Sequence, residues 1–201
     1  LQFSAYESGV PELAWIVESR RLQSLLWQAL EHQHELEHIC PERCVALQLS
    51  DEAAELTLAG GRTLRARLVV AADGVHSWAR QAAGIAVAEK AYGQMGVVAN
   101  FACATGHHTT AFQWFRADGV LAYLPLPGEQ ISIVWSTGDA HAAELMSLAP
   151  DEFCSRVAEA GAGMLGGLEL LTPPAAFPLA HLALRRSVKP RLALIGDAAH
   201  V

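Results

Sequence analysis

Leu68-Val-Val-Ala-Ala-Asp73-Gly74-Val-His-Ser77-Trp-Ala-Arg80 indicates the fold class of this sequence, together with a shorter stretch near its end, Leu192-Ala-Leu-Ile-Gly196-Asp197-Ala-Ala-His200. Each stretch places an aspartate beside a glycine, which permits a tight turn, directly after an apolar, strand-like run. Unbroken apolar runs are typical of parallel strands that are buried on both faces. Because ligands gather at the carboxyl ends of parallel strands, the two aspartates predict one shared binding site.

Each motif taken alone also has a simpler explanation. In the first, Ser77 would be an ordinary helix N-cap and Arg80 would be solvated; in the second, Asp197 would cap a helix. Alternatively, the helix N-terminus after Gly74 would hold a pyrophosphate through its free N–H groups and its dipole. Both motifs in this order favour the binding site over two unrelated turns.

The composition limits what the protein can bind. The 201 residues suffice for one large domain or two small ones, and 52% apolar residues supply a buried core. The net charge of −7 argues against nucleic acid, which requires a cationic face. No apolar run approaches the 18 or so residues of a membrane-spanning helix. Four cysteines give no disulfide framework, so we expect a reduced, cytoplasmic setting.

The order of predicted elements is α/β, then an antiparallel insertion, then α/β again. Residues 1–17 are predicted to form short strands joined by a turn, and Ser19 is predicted to cap a helix that ends among residues 31–34. A helix at 77–83 and two helices within 139–161 are also predicted. The predicted strands are 44–49, 54–58, 62–65 and 68–72, then the antiparallel set 92–103, 109–116, 119–126 and 130–136, then an extended segment at 176–188 and a strand at 191–195.

The chain resembles the class A FAD-dependent aromatic hydroxylases, those built like p-hydroxybenzoate hydroxylase, and within them the ubiquinone-biosynthesis hydroxylases. The two aspartate motifs carry the resemblance to the superfamily. The ubiquinone branch is indicated by Ile16-Val-Glu-Ser-Arg20-Arg-Leu22 and Leu26-Trp27-Gln28-Ala29-Leu30, with further support from Gly119-Val-Leu-Ala-Tyr-Leu124-Pro125-Leu126 and Ser132-Ile-Val-Trp135.

The resemblance implies a fold and a domain order. The fold would be a partial FAD-binding Rossmann-like domain with an inserted antiparallel-sheet substrate domain. Residues 1–17 would be strands of the substrate domain, 18–90 part of the FAD-binding domain, 91–188 the substrate domain, and 189–201 a return to the FAD-binding domain. The Gly-x-Gly-x-x-Gly loop expected at the family's amino terminus is absent from this chain. We therefore expect an internal fragment that is inactive by itself.

The resemblance also implies roles for individual residues. Asp73 and Gly74 would serve the FAD pyrophosphate region and the use of pyridine nucleotide. Asp197 and Gly196 would bind the ribityl hydroxyls of FAD. Arg20 would lie near the flavin or its phosphates, although a solvated arginine at a helix end explains it equally well. No side chain is identified as a catalytic acid, base or nucleophile.

The implied activity is NAD(P)H- and O2-dependent hydroxylation of a phenolic ring, on a polyprenylated ubiquinone precursor. Peripheral membrane or multienzyme association is an added expectation. One rival is hydroxylation of a small soluble aromatic compound, which calls for basic residues on the pocket face of the sheet at 92–136; only Arg116 is basic there. The other rival is a non-catalytic binding or assembly module.

A histidine- and cysteine-rich segment invites a zinc interpretation. Its members are His32, His34, His38, Cys40 and Cys44. Their spacing matches no common structural zinc pattern, so no metal site is predicted.

Overall fold

The structure, a computed structural model, describes all residues 1–201. The helices are α1 (Ser19–Glu31), α2 (Trp78–Ala82), α3 (Asp139–Ser147) and α4 (Pro150–Ala160). The strands are β1 (Cys44–Leu49), β2 (Ala54–Leu58), β3 (Thr63–Ala66), β4 (Val69–Ala71), β5 (Val87–Cys103), β6 (Phe112–Arg116), β7 (Gly119–Leu126), β8 (Gln130–Gly138), β9 (Leu168–Leu170), β10 (Ala175–Leu184), β11 (Val188–Lys189) and β12 (Leu192–Leu194). A 3-10 turn, Gly196–Ala198, follows β12.

The chain divides into two compact units. The first contains residues 1–36 and 94–178, and the second contains residues 37–93 and 179–201. Residues 18–36, which the sequence assigned to the cofactor domain, therefore group with the first unit. No helix is both long enough and apolar enough to cross a membrane.

The first unit is built on an antiparallel sheet in the order β10-β5-β8-β7-β6, with β9 also paired to β5. One face of this sheet, the covered face, packs against α3 and α4. The buried side chains on this face are Val97, Ala99, Phe101, Leu121, Tyr123, Ile131, Ile133 and Trp135, and they meet Leu145, Phe153 and Val157 of the helices. The period of two along each strand puts the intervening residues on the opposite side.

That opposite side, the open face, is partly exposed. Its side chains come from four neighbouring strands, as their registers show. They are Val98, Asn100, Ala102, Gln113, Phe115, Val120, Ala122, Leu124, Ser132, Val134 and Ser136, and every one is half-buried or exposed. The antiparallel insertion predicted from the sequence is confirmed.

The second unit contains two three-stranded sheets, β1-β2-β3 and β11-β12-β4. In the latter, β12 and β4 are parallel, as predicted for the two apolar runs. Ala71, Leu192 and Leu194 are buried in one cluster with residues of α2 and of the terminal turn. The prediction that both strands are buried on both faces is wrong, because Val70 is 52% exposed and Ile195 is 49% exposed.

Residues 1–17 contain no strand, so that prediction is also wrong. The backbone there bonds locally instead: the Ser8 N–H donates to the Ser4 carbonyl, and the Val10 N–H donates to the Ala5 carbonyl. Gly9, at φ +65°, permits this tight turn. Ser19 is the first residue of α1 rather than its cap, since Glu18 occupies the N-cap position without a side-chain bond.

Gly119 begins β7 at φ +137°, directly against the backbone of β8. A Cβ at this position would overlap the Ser136 carbonyl oxygen. We expect Gly119→Ala to lower the free energy of unfolding by at least about 2 kcal/mol, from overlap and strained backbone together. The measurement is urea unfolding. Gly138→Ala is the control, because nothing lies within 4 Å of a Cβ there; equal stability of the two variants would contradict this explanation.

Candidate functional site

The parallel pairing of β4 with β12 brings the two aspartate motifs to one edge of the sheet. Leu192, Ala193 and Leu194 lie opposite Val69, Val70 and Ala71. The Ile195 N–H donates to the Ala71 carbonyl at 2.9 Å and extends the pairing by one step. Asp73 and Asp197 follow these strand ends by two and three residues, so both lie at the carboxyl edge where α/β proteins bind ligands.

Asp73 is held by hydrogen bonds within its own turn. Its Oδ1 accepts from the Ser77 hydroxyl at 2.6 Å, and its Oδ2 accepts from the Ala79 N–H at 3.0 Å. Partial burial raises the pKa of the Asp73 carboxyl, whereas the hydrogen bonds from Ala79 and Ser77 lower it. Because the hydrogen bonds together outweigh the burial, the pKa of Asp73 lies below its usual value. The carboxylate is thereby fixed in place and remains charged at neutral pH.

Ser77 is the N-cap of α2, as the simpler interpretation of this motif proposed. Its Oγ accepts from the Arg80 N–H at 3.0 Å while its hydroxyl donates to Asp73. The same interpretation is wrong about Arg80, which is only 5% exposed. The Arg80 guanidinium donates from Nη1 to the Ala198 carbonyl at 2.9 Å and from Nη2 to the Val75 carbonyl at 2.6 Å.

Asp197 differs from Asp73 because its carboxylate is exposed and makes no hydrogen bond or ion pair. It lies inside the 3-10 turn and caps nothing, so the interpretation of Asp197 as an N-cap is wrong. The Ala199 and His200 N–H groups both donate to the Gly196 carbonyl and hold the turn closed. A free, charged acceptor on a fixed turn is suited to hydroxyl groups of a ligand.

Two glycines leave open space beside the aspartates. Gly74 has φ +83° and Gly196 has φ +55°, and nothing lies within 4 Å of a Cβ built on either. These backbone conformations strain other residues, and the space permits close approach of a ligand to the main chain. Arg20, the remaining predicted cofactor residue, belongs to the first unit, where it is exposed on α1 without a hydrogen-bond partner.

The histidine- and cysteine-rich segment forms no ligand cluster. No group of three or more His, Cys, Asp or Glu side chains in the structure is arranged to hold a metal ion. His32 instead contacts the Gln28 carbonyl through Nδ1 at 2.8 Å, and Cys40 and Cys44 are free thiols.

Sequence reasoning placed Arg80 in the first motif but missed its contribution to the site. Its hydrogen bond to Ala198 crosses 118 positions of the chain, so the contact depends on a fold that local patterns do not reveal. The one available signal is that both motifs sit at strand ends predicted to share a site. The arrangement as a whole provides a fixed carboxylate, a free carboxylate and two open turns. Such an arrangement can accept hydrogen bonds from the hydroxyl groups of a ligand and leaves room for a ligand to approach the main chain.

The chain matches the family of FAD binding domains over residues 19–201. Among curated proteins, 3-demethoxyubiquinol 3-hydroxylase of Escherichia coli is 37% identical over 200 residues, which cover 98% of this chain and 50% of that protein. Ubiquinone hydroxylase UbiL of Rhodospirillum rubrum is 32% identical over 200 residues, covering 100% of this chain and 46% of that protein. The chain therefore spans about half the length of the curated relatives it matches.

A solved structure has the same fold. PqsL of Pseudomonas aeruginosa, a probable FAD-dependent monooxygenase, superposes with a TM-score of 0.73 over 89% of this chain and 52% of its own, at 24% sequence identity. The α/β fold with an antiparallel insertion predicted from the sequence agrees with this likeness.

The lowered pKa of Asp73 makes a pH-dependent contribution to stability. Because the folded-state pKa lies below the unfolded value, the contribution is fully present above the unfolded pKa of 3.8 and is lost as the pH falls through the folded pKa. We expect Asp73→Asn to be less stable than wild type at pH 7, with a difference that shrinks below about pH 4. Urea unfolding between pH 7 and pH 2.5 measures it.

Asp51→Asn is the matched control, since the Asp51 carboxylate is exposed and accepts no hydrogen bond. A stability difference between Asp73→Asn and wild type that stays constant with pH, or that Asp51→Asn reproduces, would contradict the role of the turn bonds.

Proposed function

Since the chain belongs to the FAD-binding domain family, we propose that the protein containing it is an NAD(P)H-dependent flavin monooxygenase that hydroxylates the phenolic ring of a polyprenylated ubiquinone precursor. The overall reaction consumes NAD(P)H, a proton, O2 and the phenol, and yields NAD(P)+, water and the hydroxylated ring. Bound FAD supplies the redox chemistry, and the protein supplies binding, orientation and exclusion of water. The observation that carries the proposal is the parallel β4–β12 pairing with its two aspartates at one edge.

The residues at that edge fit FAD. Asp197 offers an unpaired, exposed carboxylate of the kind that ribityl hydroxyls bind, and Gly196 leaves the backbone accessible beside it. Asp73 is committed to α2 through both oxygens, so its proposed service to the pyrophosphate and to pyridine nucleotide is to shape the turn at Gly74. In this proposal, residues 37–93 and 179–201 belong to the cofactor-binding domain.

The open face of the first unit supports an apolar substrate. No charged side chain lies among its residues on β5, β6, β7 and β8. Arg116, the one arginine or lysine within residues 92–136, lies on the covered side. Its Nε contacts Asp118 Oδ1 at 2.8 Å, its Nη1 donates to the Ala160 carbonyl at 3.1 Å, and its Cζ lies 5.5 Å from the centre of the Trp135 ring.

An acidic aromatic substrate would require a cation at the face that binds it, because a buried carboxylate is costly without a partner. The open face provides none, which favours a prenylated phenol over a small aromatic acid. The names of the two curated relatives point to the same substrate class. We include a cytoplasmic location with peripheral attachment to a membrane or a multienzyme assembly in the proposal, since a polyprenylated substrate partitions into membranes. No observation favours a non-catalytic binding module.

We expect Asp197→Ala to weaken FAD binding by about ten- to a thousandfold, through loss of one or two charge-assisted hydrogen bonds of roughly 1.5–3 kcal/mol each. The measurement is fluorescence titration of the deflavinated full-length protein with FAD. Asp51→Ala is the control, since it removes an exposed carboxylate of the same unit away from the strand ends. FAD affinity equal to that of wild type would show that Asp197 does not contact the cofactor.

The activity itself is tested by incubating the full-length holoenzyme with NAD(P)H, labelled O2 and a polyprenylated phenol. We expect one labelled oxygen atom in the product. Val134 is exposed on the open face. We expect Val134→Asp to raise KM for the prenylated phenol by about tenfold or more, because an apolar substrate bound there would remove water from the new carboxylate.

Val134→Ala controls for the loss of the valine side chain, and the rate of flavin reduction controls for damage to the cofactor site. Preference of the wild-type enzyme for p-hydroxybenzoate over the prenylated phenol would overturn the substrate assignment. Consumption of NAD(P)H without label in any phenol would overturn the hydroxylase assignment.

A further inference from the structure

Arg80 is a buried cation without an anionic partner. Its side chain is 5% exposed, and no carboxylate lies within ion-pair distance of it. The guanidinium is satisfied by two backbone carbonyls, Ala198 at 2.9 Å and Val75 at 2.6 Å, and its Nε has no hydrogen-bond partner. A buried charge that lacks a counter-ion is costly to fold, and an apolar side chain of similar volume avoids that cost.

The two carbonyls belong to the two motif turns. Val75 follows Gly74 in the first turn, and Ala198 follows Asp197 in the second. The guanidinium is a rigid planar fork whose donors point in fixed directions, so it can join two separate carbonyls at a set spacing. An ammonium group on a flexible stem holds such a spacing less firmly.

The same residue also connects to Asp73 through its main chain. The Arg80 N–H donates to Ser77 Oγ, and the Ser77 hydroxyl donates to Asp73 Oδ1. A continuous set of hydrogen bonds therefore runs from the Asp73 carboxylate through Ser77 and Arg80 to the backbone beside Asp197.

We propose that Arg80 is a positioning residue of the cofactor site, which fixes the spacing between the Asp73 turn (residues 73–77) and the Asp197 turn (residues 196–200). Its part in cofactor binding rests on the proposed function; its link between the turns does not. Arg80 contacts the backbone of both turns and acts on the cofactor through Asp197.

The first arm of the test needs no cofactor. Hydrogen exchange is followed by mass spectrometry in the apoprotein of wild type, Arg80→Met, Arg80→Lys and Arg191→Met. Arg191 is the matched control, because its guanidinium also donates to backbone carbonyls of the second unit, those of Asp51 and Arg67, but touches neither turn.

We expect Arg80→Met to speed exchange of the Ala199 and His200 amides by about tenfold or more relative to Arg191→Met, with Arg80→Lys giving a partial effect. These amides lie more than 115 positions from the substitution and are held only by the turn bonds to Gly196. Exchange in residues 196–200 that matches Arg191→Met overturns the link between the turns.

The second arm is a double-mutant cycle on FAD affinity in the full-length protein, with Arg80→Met, Asp197→Ala and the double variant. Arg80→Met alone is expected to weaken FAD binding about tenfold, and to have less than about a threefold effect when Asp197 is already alanine. Equal factors in both backgrounds, or no effect of Arg80→Met alone, overturn the positioning role. If Asp197→Ala alone does not change FAD affinity, the proposed contact between Asp197 and the cofactor is refuted instead. The hydrogen-exchange experiment then still tests whether Arg80 links the two turns.

Discussion

The parallel pairing of β4 with β12 organises the second unit. Three registered residue pairs, continued by the bond from the Ile195 N–H to the Ala71 carbonyl, join segments separated by more than a hundred residues. Because parallel strands end at the same edge, this pairing alone places both aspartates on one side of the sheet. The buried cluster of Ala71, Leu192 and Leu194 with α2 stabilises that register.

The two aspartates lie at the same edge of the sheet but differ in their hydrogen bonding. Both carboxylate oxygens of Asp73 accept hydrogen bonds from the start of α2, whereas neither carboxylate oxygen of Asp197 accepts a hydrogen bond. The structural carboxylate shapes a turn, and the free one is available to a ligand. Arg80 joins the two turns at the cost of burying a charge, which is the kind of local compromise that proteins accept near binding sites.

Much of the architecture could be predicted from the sequence. The helix after Ser77, the two helices within 139–161 and the strand at 119–126 each reflect a local rule, and the structure contains the expected elements. The failures came where tertiary context decides. Residues 1–17 bond within a turn and pair with no strand, and the two apolar runs leave Val70 and Ile195 exposed. The burial of Arg80 and the position of Arg116 on the covered side of the sheet depend on distant packing partners that no local pattern specifies.

We propose that the edge formed by β4 and β12 binds FAD through Asp197. A crystal structure of the full-length protein with FAD measures this directly. We expect ribityl hydroxyl oxygens about 2.5–3.0 Å from the Asp197 carboxylate, with Gly196 in van der Waals contact with the cofactor. Flavin bound elsewhere, with Asp197 facing solvent, would contradict it.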